Sequence, residues 1–393
     1  MSSRISFTQI SSRILDRIFA NYGKLEGIQE QLATGKKINK ASDNPVNASQ
    51  SMQLRSELDQ FGSFQRNIND GLAYLGTVDS TLSTATNLYQ SLRENAIQAS
   101  NDTNSAESRF YIGQEVRGMF DQMVALSNTA FKGEYVFSGT NSQVAPYEMR
   151  NGASNVVNGA GALTGDMNYL GVGTPMDLID KNVTDSKDTI TSNANPLLVV
   201  PGTVRVNGLQ EGTDYTMDYI KGQITFNSAA ATAAVASGTA TITYSWLRRN
   251  EKDLDGTINR EIEEGVKAKI NTTATDVYGS KTDPNGAWEA MINLMEGTMN
   301  NKPDKIRTSL DQLDISMKRQ LTAQSANGAR VNRFENTQGR NDDRTVYTTK
   351  LQSETEDVDF AQAISDFNLQ QAVYDASLKM GARAMQSTLG DFL

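Results

Sequence analysis

A chain of 393 residues with a net charge of −9, 21% charged and 7% aromatic residues is long enough for two or three domains. It has neither the basic footprint of a nucleic-acid binder nor the character of a disordered polyelectrolyte. Cysteine and histidine are both absent, which removes disulfides, thiolate metal sites, the usual zinc sites and Ser-His or Cys-His catalysis, so no catalytic residue, metal or cofactor is expected.

The first apolar pattern is Phe7, Ser11, Ile14, Ile18, Asn21, Leu25, Ile28 and Leu32, a heptad seam flanked by Leu15, Phe19 and Tyr22. Ser11 and Asn21 make it a weak core by itself. Residues 31–48 then break the pattern. Gly35 suits the left-handed residue that closes a helix, and Lys36, Lys37 and Lys40 place positive charge at its carbonyl end. Asp43-Asn44-Pro45 offers capping side chains followed by a proline at a first helical position. A second long helix carries the spacing through Leu54, Leu58, Phe61, Gln65, Ile68, Leu72, Leu75, Val78, Leu82, Ala85, Tyr89, Leu92, Ala96 and Ala99. After a turn near residues 101–105, a third runs through Ile112, Val116, Met119, Met123, Leu126 and Ala130.

Three segments in this order and at these separations resemble the flagellin superfamily: residues 32–45 (Leu-Ala-Thr-Gly-Lys-Lys-Ile-Asn-Lys-Ala-Ser-Asp-Asn-Pro), 67–71 (Asn-Ile-Asn-Asp-Gly) and 92–101 (Leu-Arg-Glu-Asn-Ala-Ile-Gln-Ala-Ser-Asn). Residues 135–141 (Tyr-Val-Phe-Ser-Gly-Thr-Asn), with Pro146-Tyr147, look more like the hook-associated members than like filament flagellin. The chain ending, 376–393, gives the same impression. The resemblance covers roughly residues 1–147 and 255–393.

From about Gln143, Gly, Asn, Thr and Ser dominate without helical periodicity. Short alternating runs follow at Val204/Val206, Tyr215/Met217, Ile224/Phe226 and Ile242/Tyr244, separated by turn residues such as Asn207-Gly208 and Lys221-Gly222. This predicts an inserted β domain over residues 143–250, with 229–236 unassigned. Val266, Ala268 and Ile270 form one arm of a hairpin turning near Gly265. Trp288, Ile292 and Met295 begin a helix, and Pro303 starts another through Ile306, Leu310, Leu313 and Met317. The last element keeps the four–three spacing at Phe360, Ile364, Phe367, Gln371, Tyr374, Leu378, Gly381, Met385, Thr388 and Phe392.

The two ends carry opposite charge. Residues 1–40 hold seven basic and three acidic side chains; residues 351–393 hold two basic and seven acidic. Laid antiparallel with Phe7 near Phe392, Leu32 falls near Phe367. Lys36, Lys37 and Lys40 then come near Glu354, Glu356, Asp357 and Asp359, which also face the positive start of their own helix. Exposed pairs contribute only about 0–1 kcal/mol each, so these charges set register. The helix-pairing residues Phe7, Ile14, Ile18, Leu25, Ile28, Leu32, Phe360, Ile364, Phe367, Tyr374, Leu378, Met385 and Phe392 leave apolar surface uncovered on the outer sides of the pair. Exposed seams of that length mark an interface, so termini ordered only by assembly are expected.

The expected fold is mainly α: a long antiparallel helical rod formed by N- and C-terminal segments, with an inserted β domain. Its parts are a terminal helical pair (1–45 and 350–393) serving as assembly core, a helical rod domain with β-hairpins (46–142 and 251–349), and the surface-projecting insert. The resemblance implies a structural, non-enzymatic subunit at the hook–filament junction, outside the cell on the bacterial flagellum. Its implied partners are copies of itself in a ring, the preceding hook-associated protein, flagellin, and a cytoplasmic export chaperone on the C-terminal helix, with no nucleic acid and no membrane. No apolar run approaches the ~20 residues of a membrane helix, and residues 1–7 lack an apolar leader, so type III export without a cleaved signal peptide is implied. Filament flagellin is one alternative; a carbohydrate-binding or enzymatic module in the insert is another. The remaining site-like features read as ordinary. Gly171-Val-Gly173 lacks a phosphate-loop setting, Asp253/Asp255 and Asp283-Pro-Asn-Gly lack calcium-loop spacing, and the sequons at Asn47, Asn101, Asn182 and Asn271 suit an Asn-rich chain.

Overall fold

The computed structural model describes residues 7–158, 167–168, 176–177, 198–228, 233, 241–250, 254–280 and 283–390, with side chains placed between residues 12 and 383 over most of these. The described chain is mainly helical with a small sheet-containing insert. It divides into two compact units, one of Met1–Arg66 with Thr337–Leu393, the other of Asn67–Asn336. This differs from the expected three-part division. One helix starts at the expected boundary near residue 45, another runs through that near residue 350, and the insert shares one core with the helices of the second unit.

The first unit contains α1 (Phe7–Thr34), the start of α2 (Pro45–Ser100), the end of a long helix α6 (Pro303–Glu356) and α7 (Phe360–Gly390). Local chemistry sets the breaks. Gly35 takes φ +69°, accessible without strain only to a residue lacking Cβ, and its N–H returns to Gln31 O at 2.9 Å. Asn44 Oδ1 accepts the Asn47 N–H at 3.1 Å, capping α2 ahead of Pro45. Asp359 Oδ1 accepts the N–H groups of Ala361 and Gln362 at 2.9 and 3.2 Å, capping α7. The α2 and α6 segments run antiparallel here. Asn341 Nδ2 donates to Phe61 O at 3.1 Å and to Gln65 Oε1 at 2.8 Å.

In the second unit, α2 buries the expected stripe Ile68, Leu75, Val78, Leu82, Ala85, Tyr89, Leu92, Ala96 and Ala99. The facing stretch of α6 answers largely with polar groups. Gln320 and Asn327 are buried and donate to Leu82 O (2.7 Å) and Leu75 O (3.1 Å). Such bonds to backbone carbonyls hold one register where smooth apolar packing would tolerate slippage. Helix α3 (Ala106–Ser127) starts at the Ser105 cap and packs on α5 (Ala287–Met299), which is buried along nearly its whole length.

The insert is a sheet in the order β4–β3–β10–β6, with β7 also on β10, beside a three-stranded sheet β5–β9–β8. These are β3 (Tyr147–Asn158), β4 (Met167–Asn168), β5 (Met176–Asp177), β6 (Leu198–Val199), β7 (Arg205–Val206), β8 (Tyr215–Asp218), β9 (Gln223–Phe226) and β10 (Thr241–Arg249). The hairpin at Gly265 is β11 (Asn259–Glu263) with β12 (Val266–Lys269), as expected. Several elements escaped sequence reading, the two-residue strands β4, β5 and β6 among them. The short hairpin β1 (Ala130–Phe131) and β2 (Glu134–Tyr135) and helix α4 (Ala274–Tyr278) are short, and α4 rests on a reciprocal Thr273–Asp276 capping box. Strand β3 is too polar to alternate, and its long antiparallel pairing with β10 makes it a strand. The base of this sheet enters the helical core, with the Tyr147 ring tilted against Trp288 at a centroid distance of 4.7 Å and Trp288 edge-on to Phe120 at 5.6 Å. Residues 229–232 and 234–236 lie outside the described residues.

Candidate assembly site

The terminal helices do meet. Helices α1 and α7 pair antiparallel, with Tyr22 and Tyr374 ring centroids 5.9 Å apart and Gln370 Nε2 donating to Asn21 O at 3.2 Å. Nearer the α1 start, a Cβ on Gly381 would lie 3.1 Å from Ile18 and 3.3 Å from Ile14, so a side chain there would press the helices apart. On α1, Leu25 is buried and Ile14, Ile18, Asn21, Ile28 and Leu32 are half-buried.

On α7 the seam differs from expectation. Its less exposed stripe is Ala363, Phe367, Gln370, Tyr374, Ser377 and Gly381. Phe367 and Tyr374 hold their expected places, but Ile364 and Leu378 are 51% and 42% exposed. Phe360 is also exposed over half its surface, its ring touching only the Gly35 turn. The physical reason is close approach. Ala363, Ser377 and Gly381 let the two helices pack tightly, and the bulkier residues are turned outward. The register is also displaced by about one turn from Leu32 opposite Phe367, since Phe360 already sits at Gly35. Phe392 lies outside the described residues, as do the side chains of Phe7 and Met385.

The predicted charges converge around one buried carboxylate. Glu356, its side chain 1% exposed, receives both Arg55 Nε (2.9 Å) and Arg55 Nη2 (2.8 Å), Lys36 Nζ (3.2 Å), Gln352 Nε2 (3.2 Å) and the Ser51 hydroxyl. The Arg55 fork, with the other donors adding to it, holds its pKa down to about 2 against the opposing effect of burial. Lys36 also reaches Asp357 at 2.7 Å, lowering the aspartate's pKa and raising its own. The backbone joins in. Lys37 N–H donates to Glu356 O (2.6 Å) and Val358 N–H to Gly35 O (3.0 Å), with Lys36 bridging Asp357 as an antiparallel pair.

Other predicted charges are placed differently. Lys40 turns back to Glu30 at 2.9 Å, Lys37 contributes its backbone, and Glu354 faces Lys350 at 3.9 Å. Glu354 and Glu356 do not open the last helix. They close α6, where the helix dipole disfavours acids, and Glu356 is retained there by its cationic partners. Asp359 alone occupies the favourable start. Arg55 and Ser51 were missed by sequence reading, because each looks like a solvated residue on an amphipathic helix. Elsewhere, Asp283 pairs with Arg319, and Asn271 is fully buried with its amide bonded to Ile258 N and Gly256 O, so neither serves the alternatives raised from sequence.

Residues 5–142 match the family model of the bacterial flagellin N-terminal helical region. Over 351 residues the chain is 24% identical to flagellar hook-associated protein 3 of Escherichia coli (strain K12), covering 89% of this chain and 87% of that protein. With polar flagellin F of Vibrio parahaemolyticus it shares 30% identity over 111 residues, which is 28% of this chain and 29% of the flagellin. A solved Vibrio parahaemolyticus chain assigned as a flagellar hook-associated protein has the same fold at a TM-score of 0.51 and 13% identity, covering 80% of this chain and 100% of that one.

Proposed function

We propose that the chain is a flagellin-like protein of the hook-associated kind, a structural subunit of the bacterial flagellum that joins hook to filament. One observation carries the assembly mechanism. On the α7 side the pair closes partly on Ala363, Ser377 and Gly381 and leaves Phe19 (69% exposed), Leu369 (66%) and Met380 (71%) outside, so these large apolar side chains await a neighbour. Copies of this chain in a ring, with the preceding hook-associated protein on one side and flagellin on the other, would cover them. The same surface of α7 would suit an export chaperone before assembly. Exposed apolar helix faces of this kind gain their hydrophobic stabilisation only when subunits pack.

The test is genetic. Deleting the gene should leave hooks intact while flagellin leaves the cell unpolymerised; filaments of normal length on the deletion strain would refute the proposal. The similarity of the N-terminal arm to flagellins keeps one competitor open. Purified protein that grows into long filaments would favour a filament subunit, whereas bounded rings or inert monomer favour the junction role.

A further inference from the structure

Within the second unit, helix α6 and the β12–α4 segment enclose a cavity of about 450 Å³ open to solvent on one side. Its floor is small-sided, built from Thr322, Ala323 and Ala326, and its walls carry Lys269, Lys318 and Arg330. The charges are not balanced locally. Asp276 stands 3.8 Å from Lys269, and Asp283 takes up the neighbouring Arg319. Among the described residues, no carboxylate lies within 4 Å of Lys318 or Arg330. Arg330 donates only to neutral oxygens, Asn271 O at 3.1 Å and Thr272 Oγ1 at 2.9 Å, and its burial lowers its pKa. A half-buried guanidinium whose hydrogen bonds go to neutral oxygens, with Asp276 acting on it only through space, beside an exposed ammonium and small side chains, is a receptor for a carboxylate-bearing helix face.

The same unit carries such a face. On α3, Glu107, Tyr111 and Glu115 are exposed and lie four residues apart on one side, about 12 Å from end to end. Tyr111 is 64% exposed and Phe110 beside it 42%. Neither glutamate is ion-paired among the described residues. This is an acidic ridge with an aromatic centre, on a chain whose net charge of −9 makes a cationic hollow the exception.

We propose that the α3 ridge of one copy docks in the α6 hollow of the next, Glu107 and Glu115 meeting Lys318 and Arg330 while Tyr111 covers Thr322, Ala323 and Ala326. The inference rests on the assembly reading above and specifies its geometry. Ridge and hollow are different surfaces of the same chain, so the contact is heterologous, and a heterologous contact repeated around an axis yields a ring or a helix and not an isolated dimer.

Charge reversal with compensation tests it. Lys318 and Glu115 are both exposed, so reversing either leaves the fold intact, which circular dichroism of the full chain checks. Lys318→Glu or Glu115→Lys alone should reduce the amount of this protein recovered in isolated flagellar particles by about tenfold, because like charges then face each other. The double variant should recover most of it. Carbodiimide treatment of wild-type particles should join Lys318 of one copy to Glu107 or Glu115 of another. Wild-type recovery with neither single reversal having an effect, or no rescue in the double variant, would overturn the ridge-in-hollow contact while leaving the assembly role standing. Absence of the wild-type protein from the particles would overturn both.

Discussion

The two units of this chain are built on opposite economies of burial. In the second, a continuous core runs from Ile68 to Phe334 and includes Trp246 and Trp288 together with a set of buried tyrosines. In the first, the buried apolar side chains among the described residues are Leu25, Ala48, Leu54 and Ala363, while Phe19, Val46, Val346, Leu369 and Met380 stand in solvent. At about 25 cal/mol per Å² of apolar surface, only the second unit has the means to hold itself folded without help. The difference teaches that folding and assembly are separated along this chain. The middle carries its own continuous core, whereas the ends leave large apolar side chains exposed.

The largest test of this contrast is removal of residues 360–393, which include α7. Incorporation into flagella should be abolished, while the thermal transition of the second unit, followed by tryptophan fluorescence, moves by no more than a few degrees. Trp246 and Trp288 both sit in that unit's core. A large loss of that transition would show that the ends support the middle. Next in size, Trp288→Ala should destabilise the second unit by about 3–5 kcal/mol, because it empties the contacts to Phe120, Tyr147 and Tyr278. Phe19→Ala or Met380→Ala should change monomer stability by less than about 0.5 kcal/mol and still impair assembly. Urea titration of both sets measures the asymmetry.

Within the first unit the expected effects are smaller and local. Arg55→Ala leaves Glu356 buried without its bidentate partner and should weaken the joint between the α1 turn and the α6–α7 break by about 2 kcal/mol, allowing for the half-exposed guanidinium. Faster amide exchange at Lys37 and Val358 would register it. The pH dependence has a definite sign. The Glu356 pKa is depressed from 4.5 to about 2 in the fold, so its contribution is complete above the unfolded value and fades as pH falls from about 4.5 toward 2. Protection at those two amides should follow that course, and Arg55→Ala should move the loss to higher pH. Below the Arg55 effect, Gly35→Ala should cost about 1 kcal/mol at the α1 end through its positive φ. An unchanged exchange profile would show that this turn is not a constraint.

Legibility divided between features set within a turn or two of chain and those set by distant residues. The α2 stripe, the Gly35 stop, the Asn44-Pro45 start and the Gly265 hairpin could all be read directly, since each depends on residues within a turn or two of one another. The α1 face could be read too. The α7 face was misjudged at Ile364 and Leu378 because heptad logic sends the larger apolar residues inward, whereas this pair is closed by Ala363, Ser377 and Gly381. The convergence of Arg55, Ser51 and Lys36 on Glu356 spans some three hundred residues of chain and leaves no periodic trace.

By itself the sequence determined the helices, their breaks, the presence of a β insert and the opposite charge of the two ends, because propensity, capping and spacing act over a few residues. Only the tertiary structure decided that the insert and helices share one core, which face of α7 turns outward, and that Glu356 is a buried, cation-clamped carboxylate and not a surface charge. Those outcomes depend on which distant residues compete for the same space, and burial is a property of that competition.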